Sequence, residues 1–360
     1  MRQDLVLTTR LCVACVSAFT IGAAISFGLS GILTNAGIHR VQDIWFEADT
    51  ARVYYNLIDF WGHHYRTSVH PLTSLLLSTP TLALRVVGLT PVMAARVVMA
   101  VGAGLLTSTF FVLCQVITGR FLDATVYTGL LLASASFLFF AGVTELYVWG
   151  SATILLAILS LSVPEPYRPV ALIVGSIASF SITITNWMAG LAASVLAAGW
   201  KDAVKYTVLA LGIGAALAGL QSNIYRTGPF LQLLGERQYA TIDVKQRLAD
   251  APKSFLLDPI VLSGIRAPGT DDRSQKAIAP GENINWAADV RSLAMVLWIL
   301  LAAMAAVGSI GRYMKGAVSK TASLIFVVIA GQITLHTFYG EIPFLYSAPV
   351  SYTHLTLPTN

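Results

Sequence analysis

Residues 11–33 read LCVACVSAFTIGAAISFGLSGIL, a run without one charged side chain. An α-helix needs about 20 apolar residues to cross a bilayer. In lipid, only helices and closed barrels satisfy every backbone polar group. The run exceeds the roughly 7–15-residue apolar region of a cleaved signal peptide, so it reads as a retained first helix. Uncharged runs recur at 97–119, 124–144, 169–200, 206–225, 292–311 and 321–340. With charged residues at 11% and a mean hydropathy of +0.70, the pattern predicts an all-α, polytopic transmembrane helical bundle. The charges crowd instead into 223–291, which reads as one large extramembrane loop.

The net charge of +5 is small and sits mostly in short loops, which argues against nucleic acid as a partner. Cys12, Cys15 and Cys114 all lie inside apolar runs, where neither a disulfide framework nor zinc spacing is legible. Spans are expected near 11–33, 97–119, 122–143, 146–163, 169–185, 187–200, 206–223, 292–311 and 321–339. With the N-terminus in the cytoplasm, Arg120, Arg168, Lys201, Lys205, Arg312, Lys315 and Lys320 all face inward. That is the positive-inside pattern of a multi-pass cytoplasmic-membrane protein. Two segments strain this scheme. Residues 71–88 are apolar but short, with Pro80 inside and Arg85 near the end, and are read as lying at the outer interface or dipping in. Residues 169–200 are too long for one span and are split at Thr185-Asn186-Trp187.

The first outer loop, 34–70, holds the densest chemistry. It contains Ile44-Trp45-Phe46-Glu47-Ala48-Asp49-Thr50-Ala51-Arg52, His63-His64-Tyr65-Arg66 and His70-Pro71-Leu72. On a helix, Asp49, Arg52, Asn56 and Asp59 share a polar stripe, and Ala48, Ala51, Tyr55 and Ile58 an apolar one. An amphipathic helix on the membrane surface follows, N-capped by Asp49. The plain reading is a wetted juxtamembrane helix with an Asp49–Arg52 surface ion pair. Two carboxylates with several His and Arg favour chemistry: carboxylates act as a base or hold a cation, and Arg and His suit phosphate. A metal site from His63, His64 and His70 is the weaker alternative, since adjacent histidines point apart.

Glu47-x-Asp49-x-x-Arg52, the following His64-x-Arg66 and His70-Pro71-Leu72 at the start of an apolar helix resemble GT-C glycosyltransferases. That superfamily includes protein O-mannosyltransferases and lipid A aminoarabinose transferases. Leu72 stands where those proteins often have a second proline. A further acidic residue at the outer end of a later helix also fits, in Thr144-Glu145-Leu146-Tyr147. The resemblance covers roughly residues 10–200. It implies transfer of a sugar from a polyprenyl-phosphate carrier to a glycan, lipid or protein acceptor on the outer face of the cytoplasmic membrane. Asp49 would be the main catalytic carboxylate. Glu47 would assist, or hold with Asp49 a divalent cation such as Mg or Mn. Arg52, Arg66, His70 and Arg96 would take the lipid phosphate, with His64 among the substrate-binding residues, and Glu145 would orient a substrate. The plain readings are a helix-end Glu145 and snorkelling Arg85 and Arg96.

The expected organisation is a catalytic membrane module at 1–222, an extracytoplasmic loop at 223–291 and further membrane helices at 292–347. Residues 348–360 match no helix or span pattern and resemble translated sequencing-adapter read-through, so the natural chain is expected to be longer. A transporter or flippase of lipid-linked glycans is the alternative function. Transporters show internal repeats and midplane polar residues, whereas here the polar groups gather at one face. A non-catalytic assembly protein is the third reading, because fold analogy alone establishes no reaction.

Overall fold

The computed structural model describes residues 2–62, 64–225, 227–228, 244–262, 265–266, 278–280, 290–314 and 319–339. His63, the tail 348–360 and most of 223–291 lie outside the described residues. The chain is helical. In order come α1 (Arg2–Asn35), α2 (Thr50–Ile58), α3 (Thr79–Val86), α4 (Pro91–Thr118), α5 (Phe121–Ala133), α6 (Ala135–Phe140), α7 (Tyr147–Leu159), α8 (Arg168–Ile182), α9 (Trp187–Tyr225), α10 (Val244–Ala251), α11 (Val290–Met314) and α12 (Lys320–Phe338). The strand content described is one two-residue antiparallel pairing, Ile265–Arg266 with Ala279–Pro280. Among the described residues, four helices are long and apolar enough to cross a membrane: Thr9–Asn35, Pro91–Thr118, Ile184–Tyr225 and Lys320–Phe338. Their outer surfaces carry exposed Val13, Val16, Ile32, Val208 and Phe326, as lipid-facing helices do.

Close approach of α1 and α4 sets the first layer. A Cβ on Gly22 would stand 2.2 Å from Thr107 Oγ1, and one on Gly104 2.8 Å from the Phe19 ring. Small residues let helix backbones approach where lipid supplies no hydrophobic drive between helices. The pairing is antiparallel, since Gly31, further along α1, meets Arg96, earlier along α4. Around α4 lies a core that includes Leu106, Phe110, Phe137, Phe140, Ile154 and Ile158, all fully buried. α8 then packs on both arms of α9, meeting Gly190 through Ser176 and Gly214 through Phe180.

Three expectations change at helix breaks. The 122–143 span is two helices, broken at Ser134 (φ −68, ψ 146). The hydroxyl of Ser134 accepts from Phe137 N, capping α6. The amides of Ala135 and Ser136 donate to the carbonyls of Ile260 and Pro259 at 3.1 and 2.7 Å. Backbone from a distant loop thus satisfies the new helix start, which no local pattern announces. The second break is at Thr183, extended at φ −146, just ahead of the expected Thr185–Trp187 split. The third is at Gly199 (φ 77, ψ 172), a left-handed backbone that glycine adopts without a Cβ penalty, rather than in a loop at 201–205.

The 71–88 segment enters through a π-helical turn, Ser74–Ser78, before α3. At about 1.5 Å per residue, Ser74–Val86 covers about 20 Å, short of a roughly 30 Å hydrocarbon core. The antiparallel packing leaves the exposed pairs Arg120–Asp123, Arg168–Glu165 and Lys205–Asp202 at one end of the bundle. The loops around α2, 141–146 and 183–186 occupy the other end.

Candidate functional site

The site end is assembled by backbone ties from three parts of the chain. Leu72 N donates to Ser181 O at 2.8 Å and Ile184 N to Val69 O at 2.9 Å, joining the α3 approach to the end of α8. Gln221 of α9 donates to Pro71 O and accepts from Leu75 N, both at 2.8 Å. Thr144 Oγ1 donates to Thr50 O at 3.0 Å, setting the Glu145 turn against the start of α2.

The loop before α2 is unusual. Asp43, Phe46 and Glu47 all have positive φ (61, 53 and 56), which non-glycine residues seldom adopt. Surrounding contacts hold them there. Phe46 is fully buried against Trp45, Phe139 and Phe140. Its amide donates to Ile278 O at 2.9 Å, while Ile278 N donates to Ile44 O at 2.7 Å. Such over-determined backbone strain is characteristic of functional loops.

α2 does not present the expected apolar stripe. Thr50, Ala51, Val53, Tyr54 and Leu57 are buried, whereas Tyr55 is exposed. The helix is turned so that Val53 and Leu57 meet Val98, Met99 and Leu77. The polar stripe keeps Arg52 and Asn56, both on the wall of a cavity. Asp49 holds the N-cap position, but its side chain makes no cap hydrogen bond. Its carboxylate accepts instead from Arg52 Nη2 and Gln42 Nε2. Burial works to raise the Asp49 pKa, but the Arg52 charge and hydrogen bond, with Arg66 and Gln42, outweigh it and hold the carboxyl below its ordinary value.

Arg52 is the hinge of the arrangement, bonded to Asp49 while also lining the cavity. Arg66, His64, His70 and Ser74 share the polar wall with Thr67, Thr73 and Ser78, and among the described residues it includes neither Glu47, Asp49 nor Glu145. The cavity measures about 20 Å³, room for a water molecule but not for a sugar.

Burial, then Arg52 and Arg66, push the His70 imidazole down to about 3, against the smaller effects of the Ile182 carbonyl and Asp49. With the pKa so low the ring is neutral at physiological pH, and its Nδ1, 2.7 Å from Ile182 O, carries the proton. His70 thus cannot meet a phosphate as a cation, as the sequence suggested. His64 Nδ1 lies 2.8 Å from Ser74 Oγ. Arg96 stands apart from the cavity: it donates to Phe27 O and Ser30 Oγ at 2.8 and 3.1 Å and lies over the Phe27 ring. It neither snorkels nor lines the cavity, because α1 supplies its partners.

Glu145 is 4% exposed. Oε1 accepts from Leu146 N at 3.0 Å, and Oε2 is buried with no hydrogen-bond partner among the described residues. Burial first, then the Asp49 charge, raise it to about 7 against the pull of Arg52. A carboxyl that titrates near neutrality inside a cationic cluster fits acid–base chemistry.

The divalent-cation reading does not fit this donor set. Both Asp49 oxygens are engaged by a guanidinium and an amide, and no group of three His, Cys, Asp or Glu among the described residues has metal-site geometry. The sequence reading missed Gln42, Gln221 and Ser74. Gln221 had a signal, a polar side chain inside an uncharged helix. Gln42 had none, since it lies in irregular backbone with no period to read.

No protein-family model, no curated protein and no solved structure matches this chain.

Proposed function

We propose that this chain is a membrane glycosyltransferase that moves a sugar from a polyprenyl-phosphate carrier to an acceptor hydroxyl on the outer face of the cytoplasmic membrane. The supporting observation is the shared position of Arg52, bonded to the Asp49 carboxylate and facing the Arg66-lined cavity. Arginine is suited to bidentate recognition of phosphate. In the reaction, the bond between the anomeric carbon and the phosphate oxygen breaks, and its electron pair leaves with the lipid phosphate. The acceptor oxygen bonds the anomeric carbon, and its proton passes to Asp49. Arg52 and Arg66 neutralise the departing phosphate. Glu145, near neutrality in its pKa, holds or returns a proton beside Asp49. The nine-span, positive-inside topology belongs to this proposal, with the site end outward.

The test is transfer from radiolabelled polyprenyl-phosphate sugars by membranes carrying a full-length clone. Product that appears with the wild type and not with Asp49→Asn is the expected result. Absence of product with every sugar and acceptor tried, from a correctly inserted protein, counts against it.

A further inference from the structure

Arg52 has two roles that conflict. Its guanidinium holds the Asp49 carboxylate, yet it also forms part of the wall of the neighbouring cavity. The only other arginine on that wall is Arg66 among the described residues, and no carboxylate faces it. His70 contributes no charge, because burial and the two guanidinium groups keep its ring neutral while its Nδ1–H is given to Ile182 O. The charged groups on the cavity wall are therefore two guanidiniums, one of them already bonded to Asp49. An anion there is drawn to Arg52, whose guanidinium already holds Asp49 through Nη2. Asp49 would keep one neutral donor, Gln42 Nε2.

We propose that a phosphoryl group entering this cavity takes Arg52 from Asp49, so that anion occupancy and the freeing of the Asp49 carboxylate are a single coupled event. The idea rests on the cavity being a phosphate site, and it extends that reading to regulation. A carboxylate locked to Arg52 is a poor proton acceptor. One released from it regains basicity only when phosphate is in place. Acceptor activation is then confined to the loaded state, which guards against reaction with an empty site. The ligand chemistry is a phosphate monoester or diester, from a lipid headgroup or free in solution.

The coupling is reciprocal and so is visible in binding without turnover. Purified full chain in detergent is titrated with inorganic phosphate and with farnesyl phosphate, by calorimetry. Asp49→Asn removes the competitor and should tighten binding about tenfold, the scale of one charge-assisted hydrogen bond. Arg52→Ala should weaken it by a similar factor. In Arg52→Ala, adding Asp49→Asn should change nothing further. Tightening with both ligands places recognition on the phosphoryl group, and tightening with farnesyl phosphate alone assigns it to a lipid headgroup. Either result supports the coupling. Unchanged or weaker binding in Asp49→Asn overturns it. An equal gain in the Arg52→Ala background also overturns it, since that gain would come from charge removal alone. Asp49→Ser repeats the test if the asparagine variant does not fold. Intact coupling without sugar transfer would count against the glycosyl reading only.

Discussion

The Nδ1–H of His70 donates to the carbonyl oxygen of Ile182, joining the approach to α3 to the last turn of α8 across 112 positions of sequence. The bond tethers two segments, and burial with the nearby Arg52 and Arg66 charges keeps the ring neutral despite it. Glu145 is its electrostatic counterpart: a carboxyl pushed toward neutrality by burial and by Asp49.

These two groups predict opposite pH effects on stability. The folded His70 pKa is lowered to about 3, so its contribution is complete above the unfolded value near 6.5 and is lost as pH falls toward 3. The folded Glu145 pKa is raised to about 7, so its contribution is complete below about 4.5 and is lost as pH rises through 7. Between 4.5 and 6.5 the two slopes oppose each other. Melting curves in detergent from pH 4 to 8 should therefore separate them. Glu145→Gln flattens the decline toward pH 7, and His70→Asn, which keeps a donor for Ile182 O, flattens the decline on the acid side. Identical profiles for both variants and the wild type would refute the assignment.

Asp49→Asn should reduce sugar transfer by about 10²–10⁴-fold, the usual range for loss of a general base. Asp49 makes no cap hydrogen bond, so membrane insertion and yield should be unaffected. Glu47→Gln should be milder. Rates are compared at equal amounts of inserted protein, and near-wild-type turnover in Asp49→Asn would remove Asp49 from the reaction.

Arg96 should matter for stability and not for ligand. Arg96→Ala removes the donations to the Phe27 carbonyl and the Ser30 hydroxyl that tie α4 to α1, and the contact with the Phe27 ring. Loss of two hydrogen bonds from a charged donor is worth about 3 kcal/mol or more, enough to lower Tm by several degrees. Phosphate affinity measured below that Tm should equal the wild-type value. A matching drop in affinity would bring Arg96 back to the site.

Sidedness is tested at two exposed aromatic positions on opposite ends of the bundle, Trp61 (67% exposed) and Tyr167 (70% exposed). In a background with Cys12, Cys15 and Cys114 replaced, Trp61→Cys should react with an impermeant maleimide in intact cells. Tyr167→Cys should react only after lysis. The reverse pattern would place the site end in the cytoplasm.

Local pattern made much of this protein legible. Uncharged runs of about 20 residues announce membrane-length helices because lipid forbids unsatisfied backbone and charge. Glu47, Asp49 and Arg52 stood out because so much charge in a short segment between such runs has few structural uses. The interruption at Ser134 was not legible, since its cost is met by the carbonyls of Pro259 and Ile260, more than a hundred residues away. The facing of α2 was also misread, because Tyr55 and Tyr54 are equally apolar on paper and only tertiary contacts, with α4 and the His39 ring among them, select Tyr54 for burial.

By itself, then, the sequence determined the helical class, the apolar lengths and the polar segment in which chemistry is concentrated, because these follow from composition and period along the chain. Only the tertiary structure decided the ionic state and partners of the site. It gave Arg52 to Asp49 and a cavity at once, made His70 neutral by burial beside Arg52 and Arg66, raised Glu145 by burial and assigned Arg96 to α1. Charge state and hydrogen-bond partner depend on which groups stand within a few ångströms and how much water is excluded, and neither quantity is a property of neighbours in sequence.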